Sequence, residues 1–180
     1  MADVRDLIRW VRTNATGLFV NPHWIAAYGV SAGAHLALSA AVFPHPEEGR
    51  TSAVPDMLIL TSPPVSLLND KWPQLLLGTR TEAKTISPAE NVSQRLPPVV
   101  IIEGTADTVT PPLAAQRFCD RAKQLGGTCE LNLYPKLGHI LSRNLDPHAQ
   151  EEGPFDPDPN AVLDAHAKVD AFLRRSGFLR

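Results

Sequence analysis

Three residue types in this chain could cooperate in nucleophilic chemistry, and they occur in the order serine, aspartate, histidine. Ser31 stands in Gly29-Val30-Ser31-Ala32-Gly33, Asp107 in Gly104-Thr105-Ala106-Asp107-Thr108-Val109-Thr110-Pro111, and His139 in Leu137-Gly138-His139-Ile140. A serine hydroxyl attacks poorly until a base removes its proton. Histidine does this near neutral pH and can hand the proton to a leaving group. A carboxylate on the far imidazole nitrogen fixes the tautomer and steadies the imidazolium. The negative oxygen that forms on attack needs N–H donors. The amide of Ala32, the residue after the serine, is the expected first donor.

These groups work only if the backbone delivers them to one place. Ile25 to Leu38 reads as a short apolar strand, a tight Gly-x-Ser-x-Gly turn and a helix. Gly29 and Gly33 are expected where any Cβ would collide with the neighbouring strand or helix. Residues 2–15 predict an amphipathic helix, with Val4, Leu7, Ile8, Val11 and Ala15 at helical spacing and Gly17 as its stop. The first strand is expected over Trp24 to Tyr28, followed after the turn by a buried helix from about Ala32 to Val42. Met57-Leu58-Ile59-Leu60 predicts a strand buried on both faces. Residues 66–96 read as an irregular excursion with short helical pieces around Trp72 to Leu77. Pro98 to Gly104 is the clearest strand. Pro111-Pro112 opens a helix through Leu125, stopped by Gly126-Gly127. Cys129 to Tyr134 alternates like a half-exposed strand near a sheet edge. A long loop containing His139 runs to Pro159. The last helix is expected over about Asn160 to Arg175, with Val162, Leu163, His166, Val169, Phe172 and Leu173 as its apolar stripe.

Strands alternating with helices predict one α/β domain over residues 1–180, a mostly parallel sheet with helices on both faces. Ligands of such sheets bind beyond the C-terminal ends of the strands. Ser31, Asp107 and His139 each follow one of the expected strands.

The chain has 180 residues, 43% of them hydrophobic and 20% charged, with a net charge of −2. That is enough for one domain with a real core, and nothing in the charge points to nucleic acid or an anionic membrane surface. No apolar run reaches membrane-spanning length. The charged N-terminus carries no signal-peptide core, which gives a cytoplasmic expectation unless a leader has been lost. The two cysteines, Cys119 and Cys129, have no metal-ligand spacing and read as buried free thiols.

Other residues compete for the same roles. His35 lies one helical turn past Ser31 and reads as a structural histidine. His23, His45 and His166 lie off the strand ends. His148 shares the loop with His139 and is the rival base, and Asp70 is the rival acid. Asp146, Asp156 and Asp158 read as solvated turn residues, and Ser62, without a glycine elbow, as a turn or pocket residue.

Taken together, the segments Asn21 to Ala37, Leu96 through Asp107 to Pro111, and Tyr134 to His139 resemble the α/β-hydrolase fold. Within it they resemble the esterase and lipase group related to hormone-sensitive lipase and to acetyl-xylan and feruloyl esterases. The resemblance implies carboxylic ester hydrolysis through an acyl-enzyme, with Ser31 as nucleophile, Asp107 as acid, His139 as base, and no cofactor or metal. That family places several more strands, and a His-Gly-Gly motif supplying further oxyanion donors, ahead of the helix that begins this chain. The expectation is therefore a shortened, N-terminally incomplete hydrolase fold whose first strand is an exposed edge. Three readings follow: a truncated gene product, a sheet completed by another copy in a homo-oligomer, or a minimal hydrolase with fewer donors. Each lost donor costs on the order of 10²–10³ in rate.

The functional expectation is a serine esterase acting on small-molecule short-chain esters, with acetyl esters of carbohydrates as one candidate. The alternative is a weakly active or silent hydrolase-fold module that associates through its open edge. A serine peptidase of the same fold is the third reading.

Overall fold

The computed structural model describes residues 2–43, 51–68 and 80–179. Its centre is a four-stranded parallel sheet in the order β1-β2-β3-β4, with β1 Ala26–Val30, β2 Met57–Thr61, β3 Val99–Gly104 and β4 Cys129–Tyr134. The helices among the described residues are α1 Ala2–Thr13, α2 Ala32–Val42, α3 Arg80–Thr85, α4 Pro88–Asn91, α5 Pro112–Gln124, α6 Pro147–Glu152 and α7 Pro159–Arg175, with a 3₁₀ turn at His139–Leu141. The α/β class and the parallel sheet read from the sequence are the architecture observed.

The two central strands, β2 and β3, are buried on both faces, and alternation sorts their side chains into two layers. Leu58, Leu60, Val99 and Ile101 pack with Leu38 of α2 and Phe118 of α5. Met57, Ile59, Val100 and Ile102 pack with Ala165 and Phe172 of α7. The inward stripe of α7 is Ala161, Val162, Ala165, Val169, Phe172 and Leu173. Leu163 and His166, expected in that stripe, are exposed, because they sit on the opposite side of the helix.

Several boundaries differ from expectation for local reasons. β1 begins two residues late because the Ile25 N–H donates to Asp56 Oδ2 at 2.9 Å and the Trp24 N–H to Asn21 O, not to β2. The ladder therefore starts at Ala26 against Met57. α1 ends at Thr13, where Asn14 Nδ2 and N both reach the Trp10 carbonyl, so Gly17 falls in the turn beyond. The helical pieces expected around Trp72 to Leu77, together with Asp70 and His45, lie outside the described residues.

Cys119 and Cys129 are buried but not free: they form a disulfide. Gly126, at φ 79°, turns the chain so that β4 runs back along α5. The buried face of α5 then meets the first residue of β4, with the two Cα atoms 5.2 Å apart, within the span of a bridge.

At the N-terminal ends of the strands, Arg12 of α1 gathers the chain. Its guanidinium donates to the Pro22, Ser52 and Val54 carbonyls and pairs with Asp56 at 3.1 Å. A cleft of about 750 Å³ opens beside it, lined by Arg12, His23, Asp56 and Arg95 among others. It lies at the end of the sheet opposite Ser31, and Arg12 and Asp56 are engaged with each other.

Candidate active site

The turn between β1 and α2 puts Ser31 at φ 50° and ψ −121°, a backbone conformation that only an over-determined turn sustains. Two bonds hold it: the Ser31 N–H donates to Thr61 O at 2.9 Å, and the Ser31 carbonyl accepts from His35 N at 3.1 Å. Gly29 is obligatory, since a Cβ there would stand 2.5 Å from Ala34 N and Gly33 O. Gly33 is not: a Cβ there meets nothing within 4 Å, because this first turn of α2 faces outward. The expectation of a clash at Gly33 is thus corrected.

The serine side chain does not cap its own helix. Its Oγ lies 2.9 Å from His139 Nε2, and His139 Nδ1 lies 2.8 Å from Asp107 Oδ2. A carboxylate only accepts, so Nδ1 carries the hydrogen and Nε2 is left bare to accept the serine hydroxyl. The Ala32 N–H stands at the start of α2, where helical geometry gives it no partner. No hydrogen bond among the described residues occupies it.

Asp107 is held by its own loop. Oδ1 accepts from the Val109 and Thr110 N–H groups at 2.9 and 2.7 Å, and Oδ2 accepts from Thr110 Oγ1 at 2.8 Å besides His139. Burial pushes this carboxyl up, but the hydrogen bond and charge of His139, then the Thr110 N–H, outweigh it and hold Asp107 below its usual range. His139 is buried in the 3₁₀ turn after β4, and its N–H donates to Gln150 Oε1 at 3.2 Å. The same Gln150 oxygen accepts the Thr108 N–H at 3.1 Å. One buried amide therefore clasps the acid loop to the histidine loop. A Cβ at Gly104 would come within 2.5 Å of Gly138 O and closer still to Leu137 O, so glycine lets the two loops touch.

The competing residues are engaged elsewhere. His35 Nδ1 lies 3.0 Å from the Pro64 carbonyl, and burial lowers its pKa. His148 is exposed beside Glu152. Asp146 and Asp158 are more than solvated turn residues: each caps a helix N-terminus, α6 and α7 respectively. Asp156 pairs with Arg143. Thr110 and Gln150 support the site and were not singled out by the sequence; Ser62, read as a turn or pocket residue, accepts the Ile140 N–H at 3.0 Å beside His139. Among the described residues, no cluster of three or more histidine, cysteine or acidic side chains is placed to hold a metal ion. No described helix is long and apolar enough to cross a membrane.

Residues 1–121 match the BD-FAE family. No curated protein matches the chain. Solved structures of esterase 2 from Thermogutta terrifontis superpose closely. The form phosphoramylated by tabun aligns with a TM-score of 0.80 at 33% identity, covering 99% of this chain and 64% of that one. The form phosphorylated by paraoxon gives 0.79 at 33%, again over 99% and 64%. The propionate-bound form of this thermophilic esterase gives 0.77 at 32%, over 99% and 65%. The chain thus spans just under two thirds of the esterase structures it matches.

Proposed function

The chain belongs to the BD-FAE family, and on that premise we propose that it is a serine carboxylesterase that hydrolyses short-chain esters through an acyl-enzyme. The observation that carries the reading is the unbroken line Ser31 Oγ–His139 Nε2 at 2.9 Å and His139 Nδ1–Asp107 Oδ2 at 2.8 Å. Ser31 attacks the ester carbonyl carbon as His139 takes the hydroxyl proton at Nε2. Asp107 keeps Nδ1 protonated and balances the imidazolium. The Ala32 N–H donates to the developing oxyanion. Collapse of the adduct expels the alcohol, which receives the proton from His139. Water then attacks the acyl-serine by the same route and releases the acid.

The restriction to short acyl groups draws on the relatives. Thermogutta esterase 2 has been seen with propionate and with butyrate bound, acids of the size such a reaction would release. Acetyl esters of carbohydrates remain within that class. The tabun and paraoxon adducts of that esterase also suggest the probe. A fluorophosphonate is expected to label Ser31, located by mass spectrometry, and Ser31→Ala is expected to abolish both the label and turnover of 4-nitrophenyl acetate. An unlabelled Ser31, or equal turnover in both proteins, sinks the reading.

A second reading, a weakly active or silent module that associates through β1, has its own support. β1 pairs with β2 alone among the described strands, and Tyr28 is 65% exposed.

A further inference from the structure

Gln150 of α6 is buried, and its amide makes three hydrogen bonds. Oε1 accepts the Thr108 N–H at 3.1 Å and the His139 N–H at 3.2 Å, and Nε2 donates to the Leu145 carbonyl at 3.2 Å. The two N–H groups use both lone pairs of one oxygen. A flipped amide would set its NH2 against both of them, so the orientation is fixed. The helix that carries Gln150 is anchored in turn. The Asp146 carboxylate caps it by accepting the His148 and Ala149 N–H groups, and the Gln150 N–H donates to the Asp146 carbonyl at 2.9 Å. A Cβ on Gly138 would stand 2.7 Å from Oε1, so glycine before His139 leaves the amide its room. Thr108 follows Asp107 in the chain, and Ala106 precedes it. Both neighbours are tied to the histidine loop: the Ala106 N–H donates directly to the Leu137 carbonyl at 2.8 Å, and the Thr108 N–H is joined through Gln150. Among the described residues, Gln150 is the one acceptor of the Thr108 and His139 N–H groups.

We propose that Gln150 is a positioning residue of this site, whose carbonyl oxygen sets the spacing between Asp107 and His139. The proposal rests on the esterase reading for its consequence in catalysis, but not for the geometry. The bonds from Val109 and Thr110 to Asp107 are internal to one loop. They fix how the carboxylate points within that loop, not where the loop stands against His139. The contact of 2.8 Å between Oδ2 and Nδ1 joins loops that leave different strands, β3 and β4. Gln150 brackets those loops with a neutral group. Lysine or arginine has donors alone and could not accept from two N–H groups. A carboxylate could accept from both, but it would add a second anion near the imidazole and face the Leu145 carbonyl with no hydrogen to give. Removal of the amide leaves two N–H groups without their acceptor, and that of His139 is on a buried residue. A displacement of about 1 Å is enough to slow a positioned reaction steeply. Acylation and deacylation both pass a proton through His139, so both slow together: kcat falls while KM stays.

The test compares wild type with Gln150→Met, which keeps the length of the side chain and removes the amide. His148→Ala, at an exposed neighbour on the same helix, is the control. With 4-nitrophenyl acetate, kcat of Q150M should fall roughly ten- to a hundredfold while KM stays within about twofold. The rate constant for fluorophosphonate labelling of Ser31 should fall with kcat. The Nδ1 proton of His139, held against Asp107, should give a downfield proton NMR signal in wild type and H148A that is broadened or lost in Q150M. A Q150M variant that turns over and labels at the wild-type rate overturns the proposal. So does a loss carried by KM alone, or an equal loss in H148A, which would assign the effect to the helix as a whole. If Q150M does not fold, amide hydrogen exchange of wild type decides. The Thr108 N–H, although on an exposed residue, should be protected along with that of His139, and fast exchange of either one overturns the proposal. Failure of fluorophosphonate to label wild-type Ser31 would remove the esterase reading, while the NMR signal and the exchange rates still decide the positioning role.

Discussion

Thr110 gives Asp107 two of its four hydrogen bonds, one from its amide and one from its hydroxyl. Replacing it with valine keeps the shape and the amide but removes the hydroxyl donor. Under the esterase mechanism, Thr110→Val is expected to lower kcat/KM about tenfold, one charged hydrogen bond's worth, as read by 4-nitrophenyl acetate turnover. An unchanged value would mean that the backbone donors alone orient Asp107. The two neighbouring carboxyls also set opposite pH dependences on stability. Asp107 has a folded pKa below its ordinary 3.8. It therefore adds stability above that value, and this is lost as pH falls through the folded pKa. Glu103 is shifted upward from 4.5. The folded state then binds more protons than the unfolded one, and stability declines as pH rises above the unfolded value. Glu103→Gln removes only this second dependence. Its melting temperature should match wild type near about pH 4 and exceed it near about pH 8; a constant offset across that range would contradict the assignment.

The strand–turn–helix around Ser31 was legible because its chemistry is local: a serine at a strained turn needs glycine where the chain closes on itself. The structure sharpens this to one glycine. Gly29→Ala should cost about 4 kcal/mol or more, since backbone atoms block the new methyl. Gly33→Ala meets open space and should be neutral or stabilising by up to about 1 kcal/mol through helix propensity. Chemical denaturation of the two variants separates them, and equal losses would mean that the turn is not built as described. Asp107 and His139 were legible for the same reason, each lying just past an apolar strand. The supporting groups were not. Gln150 sits on α6, inside what read as a long loop running to Pro159. The disulfide was missed because its partners, 10 residues apart, meet only once α5 folds back on β4. A loop of that size predicts about 2.5–3 kcal/mol of stabilisation on the chain-entropy view, or about 5–10 °C in a chain of this length. Cys119→Ser with Cys129→Ser, melted beside the oxidised wild type, measures it; identical melting temperatures would show that the bridge does not form in solution.

The whole molecule is asymmetric across its sheet. At one edge, β4 is flanked by α5 and tied by Arg175 to Glu130 and by Tyr134 to Asp164. At the other, β1 has β2 as its one described partner. Trp24 and Tyr28 fall on the same parity of that segment, 48% and 65% exposed, and Trp24 is covered in part by Phe178 from the tail of α7. Phe19, 96% exposed, adds to the apolar surface of the segment that leads into β1. Unpaired strand edges recruit partners, and the partner available to a purified chain is another copy. Two β1 strands set edge to edge about a twofold axis would satisfy both edges at once with a self-complementary contact. The chain is therefore expected to elute as a dimer or larger species by light scattering, dissociating on dilution. Tyr28→Lys, which puts a charge on each side of the twofold, should shift it toward monomer. Labelling of Ser31 in that monomer would make the assembly and the chemistry separable, and loss of labelling on dissociation would couple them. A wild-type chain that stays monomeric at concentrations of about 100 μM, well above a micromolar dissociation constant, would show that the β1 edge does not drive self-association.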